Sequence, residues 1–267
     1  MATNLPTQKL SSLVSLIFLL LATNLNSAQA MSFNFTKLTH SDSISNVILQ
    51  GDAQFSPSGV LTLTQRSPFP PGEYFASTGR ALTTTPIPLW DNATGEVASF
   101  VTSFTFDIET TRDSPTNGLI FFIAPVDSVI PNNSNGPYLG VVDSKTSINQ
   151  FVGVEFDLYS YSWDPETRHI GIDVNSLIST KTVRYNWENG SFTRVSIIYD
   201  SPSNALTAIV FYENNQFSTI AQVIDLKTVL PNTVRVGLSA TSVTDVSFNI
   251  HSWSFTSDLE RNTPSYV

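Results

Sequence analysis

The stretch Val154–Ser176, "VEFDLYSYSWDPETRHIGIDVNS", decides how the chain is read. Two acids, Glu155 and Asp157, stand two residues apart, a short loop carries a third, Asp164, and His169 opens a second apolar run. In an extended chain successive side chains alternate across the strand. Val152, Val154 and Phe156 therefore share one face of "VGVEFD", and Gly153, Glu155 and Asp157 the other. In "HIGIDVN", Ile170, Ile172 and Val174 face the core, while His169, Gly171 and Asp173 face away. If the two segments pair, two carboxylates and an imidazole meet on the non-core side, and Asp164 folds back to the same point. Like charges packed this closely repel at low effective dielectric, and a divalent cation neutralises them. Glu, two Asp and a neutral His suit Mn²⁺ or a similar transition ion. The second oxygens of Asp157 and Asp164, with loop carbonyls nearby, suit an adjacent Ca²⁺. Solvated surface acids beside an ordinary histidine fit the same spacing, which by itself does not separate the two readings.

Working outward, the same alternation recurs and long helical periodicity is nearly absent. "FVTSFTFDI" puts Thr102, Phe104, Phe106 and Ile108 on one side, as a half-buried strand does. "VLTLTQ" (Val60–Gln65), "GLIFFIAP" (Gly118–Pro125), "VSIIYD" (Val195–Asp200), "TAIVFYE" (Thr207–Glu213), "VRVGLSA" (Val234–Ala240) and "HSWSFTS" (His251–Ser257) extend the series. Breaks such as "DSPSNAL" are rich in turn formers. Many short strands with such punctuation predict an all-β antiparallel sandwich in a single domain.

Residues 1–30 read as a secretory signal peptide: Lys9, the apolar run Leu13–Ala22, then Ala28-Gln29-Ala30 as a cleavage site. The run is too short to span a bilayer comfortably, and no second one follows, so no membrane span is expected. Removing residues 1–30 from 267 leaves 237, residues 31–267, and takes the formal charge from −9 to −10 with Lys9. A pI near 4.6 without a basic cluster argues against nucleic acid or an anionic membrane as partner. The chain has no cysteine, which excludes disulfide staples and thiol catalysis. Four sequons, at Asn34, Asn92, Asn132 and Asn189, fit glycosylation in the secretory pathway, with the extracellular space or the vacuole as destination.

The opening stretch also strongly resembles the metal-binding segment of the legume lectins. "SFNFTKL", "ILQGDAQFSPSGVLTLT", "GRALTTTPIPLWD", "ASFVTSFTFDI", "NGLIFFIAP", "PYLGVVD", "VRVGLSAT" and "HSWSFTS" resemble that family's successive blocks, in order, over almost the whole mature chain. The resemblance implies a jelly-roll sandwich, a Mn²⁺ and Ca²⁺ pair, a shallow sugar site beside the Ca²⁺, glycans as partners and a homodimer or homotetramer. By position it makes Glu155, Asp157, Asp164 and His169 the Mn²⁺ ligands. Asp157 and Asp164 also hold Ca²⁺, with the carbonyl of Tyr159.

The sugar site departs from the family pattern. There an Asp accepts hydrogen bonds from sugar hydroxyls, a Gly N–H donates one, and an Asn binds both sugar and Ca²⁺. The matching positions here are Asn117, Pro137 and Tyr161. Asn117 lacks the charge that strengthens such bonds, and its peptide with Thr116 is cis in the family. Pro137 has no N–H, although a shift of one residue in "GPYLG" restores Gly136 as donor. Tyr161 has no amide for sugar or Ca²⁺, so the Ca²⁺ site is expected to be weakened while the Mn²⁺ site survives. Each lost bond is worth about 1–3 kcal/mol. Simple sugars bind lectins at roughly −4 kcal/mol, so three losses erase the affinity. Tyr159, where the family often places a stacking aromatic, and Tyr161 leave an aromatic route to an extended glycan, with the loop Thr241–Phe248 alongside. The readings in play are a glycan-binding lectin with weak or absent simple-sugar binding and a lectin-like protein serving defence, storage or recognition without sugar. Jelly-roll glucanases carry E-x-D-x-E on one strand; here Tyr159 stands in the third place, so an enzyme is not expected.

Overall fold

The structure, a computed structural model, describes residues 30–35, 46–67, 75–111, 117–143 and 149–259. Apart from Ala30, the expected signal peptide lies outside them, as do Thr116 and the chain end beyond Leu259.

Sixteen strands follow in chain order: β1 (Met31–Phe35), β2 (Val47–Gly51), β3 (Gln54–Phe55), β4 (Leu61–Thr62), β5 (Ser77–Thr83), β6 (Ile87–Pro88), β7 (Ser99–Thr110), β8 (Gly118–Pro125), β9 (Val152–Asp157), β10 (His169–Val174), β11 (Lys181–Arg184), β12 (Thr193–Asp200), β13 (Ala205–Tyr212), β14 (Phe217–Val223), β15 (Thr233–Ser242) and β16 (Val246–Asp258). One 3-10 turn (Gly136–Tyr138) and one short α-helix, α1 (Leu226–Val229), join them. All the pairings are antiparallel, in two eight-stranded sheets. The first runs β14-β13-β12-β7-β16-β4-β3, with β1 also on β16; the second runs β11-β10-β9-β8-β15-β5-β2, with β6 on β15.

The core lies between the sheets. Thr102, Phe104, Phe106 and Ile108 of β7 all point into it, as their alternation requires. Phe104 and Phe106 meet Phe156 of the second sheet edge-on, with centroids 6.1 and 5.3 Å apart. The Val60–Gln65 segment is shorter than the sequence indicates, because only Leu61–Thr62 pairs as a strand.

One expectation is corrected here. The face of β9 and β10 turned away from the main core is not a solvated side: Glu155, Asp157, His169 and Asp173 are all buried. A second apolar cluster, including Ile120, Phe122, Leu139, Val142 and Phe151, covers this face of the second sheet. Sheet hydroxyls anchor the covering segment, Ser239 donating to the Leu139 carbonyl and Thr241 to that of Gly136, each at 2.5 Å. The fully buried Arg80 adds to this by donating to the Gly140 carbonyl (3.3 Å) and Ser128 Oγ (2.9 Å), with its guanidinium 4.5 Å from the Phe122 ring centre. Burial lowers its pKa to about 10. Near-continuous apolar runs such as "GLIFFIAP" belong to such doubly covered strands.

Candidate functional site

The register of β9 against β10 assembles the first part of the site. His169 stands opposite Asp157, and Gly171 opposite Glu155. A Cβ at Gly171 would come within 2.1 Å of Ser179 Oγ and 2.5 Å of Glu155 Oε1, so the glycine makes room for the carboxylate. Each of Glu155, Asp157 and His169 offers a ligand atom within 4.8 Å of the others. His169 Nε2 lies 3.0 Å from Glu155 Oε1, and His169 Nδ1 is buried without a protein partner. Asp164 stands outside this three-residue group. Its Oδ2 instead accepts the Tyr161 N–H at 2.8 Å, while its own N–H donates to the Tyr161 carbonyl at 3.1 Å.

Two residues absent from the expected set join the cluster. Ser179 Oγ lies 2.5 Å from Glu155 Oε1 and 2.9 Å from Asp173 Oδ1. One hydroxyl has a single proton, so it cannot donate to two carboxylates. Burial, together with the charge of Glu155, holds the Asp173 carboxyl well above its usual range and supplies the second proton. Asp173 was legible as a partner on the same strand face as His169; Ser179, beyond the strand, carried no sequence signal.

Burial and mutual repulsion set the electrostatics of the group. Burial first, then Glu155, pushes Asp157 well above the ordinary carboxylate range. Burial likewise raises Asp164 to about 6. For His169 burial acts to lower the pKa, but the hydrogen bond and charge of Glu155 outweigh it and raise the value. Two carboxylates with an imidazole at these separations, and an orphaned ring nitrogen, fit one divalent transition ion.

The second part of the site is a loop cluster above the strands. Asn117, fully buried and left-handed at φ +69°, spends its whole amide internally. Its Nδ2 donates to Tyr161 Oη at 2.6 Å, and its Oδ1 accepts the Val243 N–H at 2.9 Å. Its backbone carbonyl accepts the Leu158 N–H at 3.0 Å. Gly136 of "GPYLG" lies beside it, since a Cβ there would sit 3.6 Å from Asn117 Nδ2; Pro137 is half-buried in the 3-10 turn. The Tyr161 ring stacks on Trp163, with centroids 5.2 Å apart and planes at 12°, and Trp163 stacks on Tyr138 at 6.4 Å and 7°. Tyr159, 45% exposed, leans on Tyr161 at 4.8 Å, and its N–H donates to Asp157 Oδ1 at 2.8 Å. Burial pushes the Tyr161 phenol well above its ordinary pKa, so it stays neutral. The Thr116–Asn117 peptide, cis in the family, falls outside the described residues. Asn34, Asn92, Asn132 and Asn189 are exposed, and the Asn189 amide bonds both the N–H and the carbonyl of Thr110.

The sandwich with its buried Glu155–Asp157–His169 group now meets its relatives. The pattern of the legume lectin domain matches residues 30–266. The chain belongs to the legume lectin family. It is 66% identical over 265 residues to the pea (Pisum sativum) "Nodule lectin", covering 99% of this chain and 97% of that one. With the pea "Non-seed lectin" it shares 62% over 262 residues, 98% and 97% of the two chains. The solved peanut lectin with a nine-residue peptide superposes with a TM-score of 0.81 at 43% identity, over 88% of this chain and all of that one. Its jelly-roll sandwich is the architecture of this chain. Lectins bind carbohydrate without transforming it, and this lectin-family chain is not an enzyme. Among the described residues no helix is long and apolar enough to cross a membrane.

Proposed function

We propose that this chain is a secreted legume-type lectin whose ordinary monosaccharide pocket is closed from within, so that simple sugars bind weakly or not at all. One observation carries the reading: the Asn117 amide, at the position of the family's sugar-accepting carboxylate, is consumed on both sides by Tyr161 Oη and the Val243 N–H. Asn117 is also fully buried, so a sugar hydroxyl arriving there must first displace the Tyr161 contact, at a cost comparable to the bond it gains. A glycan then has to be met outside the pocket, on the exposed ring of Tyr159 and the loop Thr241–Phe248, by stacking and chain length rather than by one buried hydroxyl contact.

The proposal extends to the ion. Glu155, Asp157 and His169 hold Mn²⁺ or a similar ion through two carboxylates and one imidazole, and Ser179 with Asp173 fixes the Glu155 carboxylate from behind. When bound, the ion supplies the positive charge that relieves the buried acids and keeps β9 and β10 in register for the loops above. By resemblance the chain is glycosylated, travels to the extracellular space or vacuole and assembles as a homodimer or homotetramer.

A glycan array on manganese-loaded protein, followed by titration calorimetry, tests this. The expected result is no monosaccharide bound more tightly than roughly 10 mM, any signal being confined to extended glycans. The double change N117D/Y161N should bring a simple sugar back to roughly millimolar affinity. Ordinary monosaccharide binding by the unmodified protein overturns the closed pocket.

A further inference from the structure

We infer that Tyr161 takes over the bracing that calcium gives this family, so that the loop Leu158–Asp164 is held without calcium and the chain carries one divalent ion rather than two. The inference rests on the closed-pocket reading for its geometry but is read out by ion stoichiometry, not by sugar.

Calcium takes six to eight oxygens, several of them carboxylate. Position 161 offers only a neutral phenol oxygen, already 2.6 Å from Asn117 Nδ2. The acids beside it are engaged as well. Asp157 Oδ1 takes the Tyr159 N–H and Asp164 Oδ2 takes the Tyr161 N–H, both at 2.8 Å. Asp164 stands outside the group formed by Glu155, Asp157 and His169. With its phenol oxygen already bonded to Asn117, position 161 supplies no free oxygen, and the loop falls short of a calcium shell.

What calcium would accomplish is accomplished otherwise. The column Tyr159–Tyr161–Trp163–Tyr138 runs from the loop to the 3-10 turn Gly136–Tyr138, joining the two segments that flank Asn117. Tyr161 Oη ties the middle of the column down to Asn117, and the Val243 N–H ties Asn117 to the chain following β15. The loop, the turn and Asn117 are thus cross-linked by rings and hydrogen bonds among themselves.

The test strips the full chain of metal, re-equilibrates it with Mn²⁺ and Ca²⁺, and follows elemental analysis, calcium titration calorimetry and thermal melting. The expected wild-type protein binds a single Mn²⁺, takes up no calcium at millimolar concentration, and melts at the same temperature with calcium or with a calcium-selective chelator. Y161N should gain a calcium site and a melting temperature that rises with calcium. Y161F keeps the ring and should remain blind to calcium while melting earlier. Stoichiometric calcium on the wild-type protein, or a Y161N protein that folds yet ignores calcium, overturns the inference. If Y161N does not fold, the wild-type stoichiometry and chelator response decide alone. Wild-type protein that binds a monosaccharide but no calcium overturns the closed pocket and leaves this inference standing.

Discussion

The acid–histidine cluster and the proposed sugar pocket adjoin at the loop after β9, and in the reading proposed above only the cluster keeps the family's chemistry. Glu155, Asp157 and His169 stand on paired strands, where the β9–β10 register fixes which side chains face one another. A substitution there meets close-packed neighbours on every side, as the Gly171 contacts illustrate. Asn117, Pro137 and Tyr161 stand just before a strand, in a turn and in a loop, where partners are chosen by side-chain reach rather than by register. In the proposed reading two of the changes compensate each other, since the Tyr161 phenol accepts the hydrogen bond of the Asn117 amide. Chemistry written on strands is hard to edit, and chemistry written on loops is rewritten in concert.

The sharpest way to break this contrast is Gly171→Ala. Its methyl group would overlap Glu155 and Ser179, and the expected loss is about 3 kcal/mol of stability together with metal affinity, read by denaturant melts and manganese titration. Glu155→Gln should leave the fold intact and cost about 10–100-fold or more in manganese affinity, because one charged ligand disappears. On the loop side Tyr161→Phe leaves Asn117 Nδ2 buried without an acceptor, for an expected loss of about 1–3 kcal/mol with no change in manganese binding. A pH series sharpens the comparison further. Asp164, raised to about 6, and His169, raised above its usual value, both bind protons more tightly in the folded chain. Metal-stripped protein should therefore gain stability as pH falls from about 7 to about 5, since it takes up protons that the unfolded chain takes up less readily. Metal-loaded protein should do the reverse, as protons compete with the ion for the same ligands. The smallest effect belongs to Tyr159→Ala: its ring is half exposed, so stability should move by about 0.5 kcal/mol or less, while any binding of extended glycans falls.

Much of this architecture was legible in the sequence because alternation is a local signal. The Thr102–Ile108 series and the two faces of "VGVEFD" and "HIGIDVN" follow from period two alone. The grouping of Glu155, Asp157 and His169 followed once the two segments were paired. The burial of that group was not legible, since it depends on Leu139, Val141, Val142 and Phe151 packing over the sheet. Nor was the Tyr161–Trp163–Tyr138 column, because Tyr138 meets Trp163 through tertiary contact with no periodic relation between them. Asp164, expected among the ligands on spacing and resemblance, lies outside the three-residue group and bonds the backbone of its own turn.

The double covering of the second sheet has a consequence for motion. Strands β8 and β9 are buried from both sides along nearly their whole length, so their amide protons should be among the last to exchange with deuterium. Glu155 and Asp157 thus ride on the part of the molecule that breathes least, and an ion seated there would leave only when the fold itself opens.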